Sequence, residues 1–243
     1  MKAFSIKTQL IIFLSIFALY LSFVYKDALF LVTTLAAVAG AMAVDSVIVF
    51  FRSKKFVLTE SSAISGLIVG YVLSNVYPWW IFLWASVFAI SSKHLLCIRE
   101  RHLFNPAAFG IFLATVLLGA STQWRGAGLW YILVPAGVYF VSKTRKIEVV
   151  IGYATAFLAL FGAQAFFQKT SLLDVLIYQN YFFIFVMLIE PKTTPTTRRG
   201  KVVFGAAVAI LVFILTASRV KFEAELLSLL AVNAFFLLLN KLK

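Results

Sequence analysis

Long apolar stretches alternate with short polar links along the whole of this 243-residue chain. Ten apolar segments are present, at roughly residues 8–25, 28–51, 60–74, 78–94, 105–120, 128–142, 147–167, 172–190, 202–218 and 223–240. Apolar runs of this length predict membrane-spanning helices, because a straight helix needs about 20 residues to cross the hydrocarbon core. Several segments are shorter, so we expect some helices to be tilted, broken or re-entrant.

The composition predicts an all-α polytopic membrane protein. Hydrophobic residues make up 63% of the chain and charged residues only 13%, which is too little polar surface for a water-soluble domain of this size. The apolar run that follows Lys2 and Lys7 continues to about Tyr25 without a small-residue cleavage site, so it is interpreted as a retained first span. The single Cys97 excludes an intrachain disulfide.

The basic residues predict an orientation in the membrane. If all ten segments cross, 17 of the 22 Lys and Arg residues lie on one side and five on the other. This asymmetry favours a multi-pass protein of the cytoplasmic (inner) membrane with both termini in the cytoplasm. The same asymmetry explains the net charge of +13 without nucleic acid, and the lipid bilayer is the expected partner. A soluble acidic partner on the cytoplasmic face stays open.

Ten crossings divide into two sets of five, at residues 1–125 and 126–243 of a single transmembrane domain. An odd number per set makes the second set start on the opposite side, as in an inverted repeat. The third segment is short and contains Gly66 and Gly70, and the eighth carries Tyr178, Gln179 and Asn180 near its middle. Interrupted or polar helices at matched positions in the two halves point to a binding site between them. Alternatively, the glycines form a helix-packing face and the amides bond to neighbouring backbone.

The dipeptide Asn105-Pro106 predicts a helix start, because Asn caps free N–H groups and Pro lacks the N–H that would go unpaired. The following small residues, Ala107, Ala108 and Gly110, allow another helix or a flat ligand to approach the backbone closely. Either a tightly packed, capped membrane helix or a ligand site fits this pattern.

The stretch 190–201 is predicted to be a loop, because Pro191 and Pro195 prevent helix there. Its hydroxyls and cations suit a phosphate, a carbonyl-rich ring or a carboxylate at the next helix start. Alternatively, its charges are only a topology signal. The hydroxyl residues that carry the first interpretation are Thr193, Thr194, Thr196 and Thr197.

Three sequence blocks then carry a family resemblance. They are residues 61–67 with Pro78-Trp79-Trp80; Ser92-Lys93-His94 leading into 104–110; and 187–200 followed by Phe204-Gly205-Ala206. In order and spacing these blocks resemble the membrane flavoproteins that comprise the D-type subunit of the Rnf electron-transport complex and the B-type subunit of the sodium-translocating NADH:quinone reductase. The resemblance implies ten transmembrane helices in two inverted five-helix repeats, a urea-transporter-like fold, and riboflavin or FMN as electron carrier. It also implies that Asn105 lies at a non-covalent riboflavin site.

Two departures from the family pattern refine this expectation. The extracytoplasmic Thr segment to which some members attach FMN covalently is reduced here to Gly119-Ala120-Ser121-Thr122, so we expect a non-covalent flavin. The family's second Asn, three residues before Asn105, is His102, which is also able to donate a hydrogen bond to a ring nitrogen or carbonyl.

Two further groups of side chains carry candidate chemistry. Asp45 is an intramembrane acid and thus a candidate for an ion or proton path, or else it pairs with a nearby Lys or Arg. His94, Cys97 and His102 lie close together in sequence but lack a fourth ligand, so we expect a solvated loop there and no metal site.

The function expected from the sequence is that of a flavin-binding electron-transfer subunit of an oxidoreductase or translocase, rather than a self-sufficient enzyme. Electrons would pass from a cytoplasmic flavin or iron–sulfur reductase, or from other complex subunits, to a membrane or extracytoplasmic acceptor. The alternative is a small-solute transporter or channel with the same fold. The expected cofactor-binding residues are Asn105, His102, Ala107, Gly110, Asn180, Thr193, Thr194, Thr196 and Thr197.

Overall fold

The computed structural model describes residues 4–98, 101–177 and 179–242. The chain is mostly helical, and its α-helices are α1 Ile6–Val24, α2 Ala28–Ser53, α3 Glu60–Val72, α4 Trp79–Leu95, α5 Pro106–Leu118, α6 Trp130–Thr144, α7 Ile147–Gln168, α8 Leu172–Ile177, α9 Arg198–Ala217 and α10 Ala224–Leu239. A π-helical segment spans Phe183–Met187. The strands β1, Cys97–Ile98, and β2, Arg101–His102, pair antiparallel.

Four of these helices, α1, α2, α7 and α9, are long and apolar enough to cross a membrane by length and composition. Large apolar side chains are exposed on the protein: Phe23 is 84% exposed, and Phe166 and Phe167 are 80% and 81% exposed. In water such surfaces would be unfavourable, whereas in a bilayer they contact lipid tails. The fold therefore agrees with the predicted polytopic membrane protein. The count of ten crossings and the inverted repeat stay predictions.

The chain divides into two compact units. The first contains residues 1–102 and 106–125, and thus α1 to α5 with the strand pair. The second contains residues 103–105 and 126–243, and thus α6 to α10 with the π-helical segment. Whether the two units are inverted repeats of one another stays a prediction.

In the first unit, α2 packs against both α3 and α4, and α4 packs against α5. Two glycines of α3 make the α2 contact close: a Cβ at Gly66 would meet the backbone of Val38, and one at Gly70 would meet Thr34. This geometry supports the packing interpretation of the two glycines, since only a residue without Cβ permits such an approach.

The far end of α3 in the same unit is held by a polar network. Leu73 pairs with Thr122 after the helix ends. The Arg125 Nη2 group donates to Asp27 Oδ2 at 2.6 Å, and Asn75 Nδ2 donates to the same oxygen at 2.6 Å. Because the three side chains come from separate segments, they fix the end of α3 to the turn before α2 and to the chain after α5.

In the second unit, α9 packs closely along α7 and α10 packs on α9. The α7–α9 contact depends on two glycines, since a Cβ at Gly152 would meet the Val202 carbonyl oxygen and one at Gly205 would meet that of Val149. Backbone against backbone packing of this kind is common in membrane helices, where small residues allow close approach.

The eighth apolar segment, 172–190, for which the sequence predicts a polar middle, is not one continuous helix, in line with the expectation that some segments are broken. The six-residue α8 ends at Ile177, and the chain resumes as helix only around the π-helical segment. The Gln179 Nε2 group donates to the Tyr153 hydroxyl at 3.1 Å, and the Asn180 Oδ1 atom accepts from the Phe183 N–H at 2.9 Å. These amides therefore satisfy polar groups at the break. Tyr178, predicted to share this polar stretch, lies outside the described residues.

Candidate functional site

Asn105 lies in the second unit, immediately before α5, and is only 2% exposed. The helix starts at Pro106, which confirms the start that the Asn-Pro pair predicts. The Asn105 main-chain N–H donates to Asn233 Oδ1 at 3.0 Å, and its side-chain Nδ2 donates to the Met187 carbonyl oxygen at 3.1 Å. Asn105 thus connects α10 to the end of the π-helical segment.

Asn233 is the residue that sequence reasoning missed. It is completely buried in α10, a helix whose other buried residues are apolar apart from Ser228. Its Nδ2 group donates to the Thr193 carbonyl oxygen at 3.1 Å, while its Oδ1 atom accepts from Asn105. A lone amide within an apolar helix is unfavourable unless it is bonded, so the sequence shows that Asn233 needs partners but not which ones.

The loop 190–197 is ordered by its own threonines. The Thr193 hydroxyl donates to Glu190 Oε2 at 3.2 Å, and the Thr194 hydroxyl donates to the Glu190 carbonyl at 2.9 Å. Both threonines are fully buried. Thr197 caps α9, since its Oγ1 accepts from the Gly200 N–H at 3.2 Å, as expected for a hydroxyl before a helix.

Two more side chains that the sequence did not single out hold this loop. The buried Lys146 Nζ donates to the Pro195 carbonyl at 3.0 Å. The Asn240 Oδ1 atom accepts from both the Thr196 N–H, at 2.7 Å, and the Thr196 hydroxyl, at 3.1 Å. The loop is therefore tied to the start of α7 and to the end of α10.

The π-helical segment brings the helix break into the same region of the second unit. Asn180 caps its beginning, and Met187 at its end receives the Asn105 bond. Met187 is fully buried. Single-turn π-helical stretches are frequent at functional sites. The structure thus links Asn180, Asn105 and Thr193 through one bonded path within the second unit.

The predicted residues His102, Ala107 and Gly110 belong to the first unit. The His102 Nδ1 atom lies 3.1 Å from the Lys93 carbonyl oxygen. A Cβ at Gly110 would meet the Ala85 carbonyl oxygen and Ala89, so this glycine makes room for α4. Ala107 is 1% exposed. Their predicted contact with a cofactor stays a prediction.

The stretch containing His94, Cys97 and His102 was expected to be one solvated loop, and this was wrong. His94 lies in the last turn of α4, and Cys97 pairs with His102 across the two short strands. Of the three side chains, Cys97 is exposed, whereas His102 is buried, with 7% of its surface accessible. Backbone pairing between β1 and β2 orders the stretch, a constraint that residue types alone did not reveal. Arg99 and Glu100, which connect the strands, lie outside the described residues.

Asp45 is fully buried in α2 and has several partners in the first unit. Its Oδ1 atom lies 2.8 Å from Lys93 Nζ and 2.7 Å from His94 Nε2. Its Oδ2 atom accepts from the Thr59 hydroxyl, which also caps α3. The alternative of a pair with a nearby Lys therefore fits the geometry.

The imidazole of His94 extends this cluster to the end of α2. Arg52 Nη1 lies 3.4 Å from His94 Nδ1. An Arg N–H only donates, so Nδ1 is the acceptor side of this contact, while the other ring nitrogen, Nε2, faces the Asp45 carboxylate. A chain of polar groups thus runs from the exposed Arg52 to the buried carboxylate.

Comparisons with known proteins agree with the family resemblance of the three sequence blocks. The sequence profile of the NQR2, RnfD, RnfE family matches residues 2–128 and 128–243. Over 127 residues the chain is 29% identical to the D-type subunit of the ion-translocating oxidoreductase complex of Aeromonas hydrophila subsp. hydrophila. The aligned region covers 49% of this chain and 36% of that protein. The chain thus matches little more than a third of the length of that curated relative.

Proposed function

This chain belongs to the NQR2, RnfD, RnfE family, and from that premise we propose that it is a flavin-binding membrane subunit of an ion-translocating oxidoreductase complex. It receives electrons from a cytoplasmic flavin or iron–sulfur reductase and passes them to a membrane or extracytoplasmic acceptor. The name of the matched relative, a complex subunit, supports a role with other subunits rather than as a self-sufficient enzyme.

The proposed topology has ten transmembrane helices in two inverted five-helix repeats, with a urea-transporter-like fold. Both termini face the cytoplasm, and the protein resides in the cytoplasmic membrane. The division of the chain into one unit with α1 to α5 and another with α6 to α10 supports this arrangement. The 17-to-5 division of basic residues supports the orientation.

The observation that carries the flavin proposal is the buried polar path from Asn105 through Asn233 to Thr193. Amide and hydroxyl groups are of the kind that bonds the edge of a flavin ring, which offers carbonyl oxygens, ring nitrogens and one N–H. Each Thr hydroxyl that donates within the loop retains lone pairs that accept hydrogen bonds. These groups support the proposal of a flavin held without a covalent bond.

In this proposal a bound flavin supplies the one- or two-electron chemistry, and the protein supplies position and polarity. Asn105 and the loop threonines Thr193, Thr194, Thr196 and Thr197 hold the ring or its side chain. Asn180 fixes the π-helical segment next to Asn105. His102, Ala107 and Gly110 stay candidate contacts of the cofactor.

In the same proposal, Asp45, Lys93 and His94 take part in the movement of an ion or proton. The Lys93 ammonium and the His94 imidazole both lie within hydrogen-bond distance of the Asp45 carboxylate. Buried ionisable groups of this kind in membrane helices commonly mark an ion or proton route.

The alternative function is transport of a small solute through the same fold. The interruption of helix at Gln179 and Asn180 favours it, because broken helices line solute sites in transporters. The two functions differ in one property, the presence of a redox-active chromophore.

The test is the visible absorption and fluorescence spectrum of the protein purified from membranes in mild detergent. We expect a yellow protein whose flavin separates from the polypeptide on acid or detergent-heat treatment. A colourless protein that does not take up added riboflavin or FMN would favour the transporter. Fluorescence that stays with the band on a denaturing gel would instead indicate covalent attachment, with Ser121 and Thr122 as the attachment candidates.

A further inference from the structure

The start of α9 and the end of α10 border an open groove of about 720 Å³ in the second unit. Its lining has a cationic part and an apolar part, and no acidic side chain is among the lining residues that the structure describes. The cationic residues are Arg198, Arg199 and Lys241, and the apolar residues are Val202, Val203 and Leu242. A ligand that fits this lining must be both anionic and apolar.

The position of the groove along α9 matches the depth of lipid headgroups. The helix has 20 residues and is a candidate membrane span, so its length of about 30 Å equals the hydrocarbon thickness of a bilayer. In the proposed topology, on which this inference rests, α9 crosses the membrane, so that Arg198 and Arg199 in its first turn lie at the membrane surface. Val202 and Val203, one turn further in, are 38% and 42% exposed, at the depth where acyl chains begin.

The two sides of the groove are held together by hydrogen bonds and close packing. Thr196 donates both its N–H and its hydroxyl to Asn240 Oδ1, which fixes the end of α10 beside the start of α9. A Cβ at Gly200 would meet the Leu239 carbonyl oxygen, so the two backbones are in contact there. Lys241 is therefore positioned next to the arginines by the fold.

The positive charge of the groove is only partly compensated within the described part of the chain. Lys201, the next cation on α9, pairs with Glu148 at 3.1 Å, and Arg198 interacts electrostatically with the same carboxylate. Arg199 and Lys241 make no ion pair with any described residue. An anion in the groove would thus meet two cations, Arg199 and Lys241, that no described carboxylate pairs with.

We propose that this groove binds an anionic phospholipid. The lipid phosphate contacts Arg198, Arg199 and Lys241, and an acyl chain lies along Val202, Val203 and Leu242. The exposed valines favour a lipid over an acidic soluble protein, because a soluble partner would leave the apolar part of the groove at membrane depth unoccupied. Basic pockets at the ends of membrane helices commonly bind acidic headgroups in this way.

The experiment is native mass spectrometry of the 243-residue chain released from nanodiscs that contain phosphatidylglycerol and phosphatidylcholine in equal amounts. The test variant carries Arg198→Gln, Arg199→Gln and Lys241→Gln. A matched control removes the same charge from exposed positions elsewhere, with Lys54→Gln, Lys55→Gln and Lys143→Gln. A second variant, Arg198→Lys, Arg199→Lys and Lys241→Arg, preserves the charge and tests whether the site is still formed.

We expect the wild type to retain phosphatidylglycerol in preference to phosphatidylcholine. Each cation near a membrane surface contributes about fivefold to the affinity for acidic lipid, so the triple Gln variant should lose up to about 100-fold. The control and the charge-preserving variant should behave as wild type. Inorganic phosphate should not displace the lipid at concentrations that leave the protein intact.

Three results would overturn the proposal. Equal retention of phosphatidylglycerol and phosphatidylcholine by the wild type would mean that the groove does not select an anionic headgroup. An equal loss in the control variant would mean that net charge alone attracts the lipid. Displacement by inorganic phosphate, or selective binding of an acidic soluble partner without any lipid preference, would assign the groove to another occupant.

Discussion

The main-chain N–H of Asn105 donates to the side-chain oxygen of Asn233 at 3.0 Å, which joins two positions separated by 128 residues in the sequence. The same Asn233 side chain donates to the Thr193 carbonyl. The buried Asn233 side chain therefore accepts from the Asn105 N–H, before α5, and donates to the Thr193 carbonyl oxygen, in the loop 190–197. Since Asn105 and the loop 190–197 carry proposed flavin contacts, Asn233 is a positioning residue for the proposed flavin site.

Asn233→Leu should lower flavin content strongly. Leu has a similar volume but makes neither bond, so the Asn105 N–H and the Thr193 carbonyl oxygen are left buried without this partner. Loss of a hydrogen bond to a buried group costs about 1–3 kcal/mol, which weakens the connection between Asn105 and the loop 190–197. The measurements are the flavin-to-protein ratio and the Kd for added riboflavin, together with Tm in detergent.

Ser228→Ala is the matched control for Asn233→Leu. Ser228 is equally buried on α10, and its hydroxyl has no hydrogen-bond partner among the described residues. Removing it should leave flavin content unchanged and leave Tm equal or slightly higher. If Asn233→Leu retains flavin with the wild-type Kd, Asn233 has no positioning role at this site.

Asn105→Leu should remove flavin and leave the protein folded in the membrane. The substitution removes the amide that donates to the Met187 carbonyl and that is proposed to contact the ring. Loss of a desolvated hydrogen bond costs about 1–3 kcal/mol, or roughly 5- to 150-fold in affinity. Flavin occupancy, measured by fluorescence after denaturation, should fall much more than expression or Tm.

Asn105→Ser is the control for Asn105→Leu, because Ser is able to cap a helix but lacks the amide. We expect it to lose flavin as Leu does. A wild-type flavin content in the Ser variant would make Asn105 a cap, and the ligand contact would then lie elsewhere.

The helices could be predicted from the sequence because their causes are local. Apolar runs bounded by Asn-Pro, Pro-Trp or threonine residues place α4, α5 and α9 within a few residues of their observed bounds. The break in segment 172–190 was only partly foreseen. The polar pair Gln179 and Asn180 indicated an irregularity, but the π-helical turn depends on packing that residue types do not encode.

The candidate site was less predictable, because its partners are far apart in sequence. Asn105 and the threonine loop were recognisable from their local patterns. Asn233 was not, since a single Asn in an apolar helix gives no indication of which distant N–H or carbonyl it will meet. Likewise, the pairing of Cys97 with His102 follows from backbone hydrogen bonds rather than from side-chain chemistry.

The buried ion pair of Asp45 and Lys93 gives a prediction about stability. The side chains are 1% and 9% exposed, and their charged atoms are 2.8 Å apart. Asp45→Asn leaves the ammonium without its counter-charge, and loss of one partner of a buried pair costs about 3–5 kcal/mol. We expect a large fall in Tm for the single variant. The double variant with Lys93→Met should recover most of it, because no isolated charge remains.

Ser46→Ala is the reference for the Asp45 measurement. Ser46 is the neighbouring residue on α2, is 1% exposed, and donates to the Val57 carbonyl at 3.3 Å. Its loss should cost no more than about 1.5 kcal/mol. If the double variant is as unstable as the sum of the two single variants, Asp45 and Lys93 are not energetically coupled.

The last prediction concerns the orientation of the chain and follows from the uneven division of basic residues. Reporter fusions at residues 53, 144 and 198 should report the cytoplasm, and fusions at 26, 125 and 169 the opposite side. Residues 53, 144 and 198 lie at ends of α2, α6 and α9, so each fusion point follows or precedes a defined helix. Removing the cations near one fusion point, as in Lys54→Gln with Lys55→Gln, should weaken the cytoplasmic signal at residue 53 without reversing the sites in the second unit. A consistent reversal at two or more of the six sites would contradict ten crossings and would place Asn105 and the threonine loop on the extracytoplasmic side, away from a cytoplasmic electron donor.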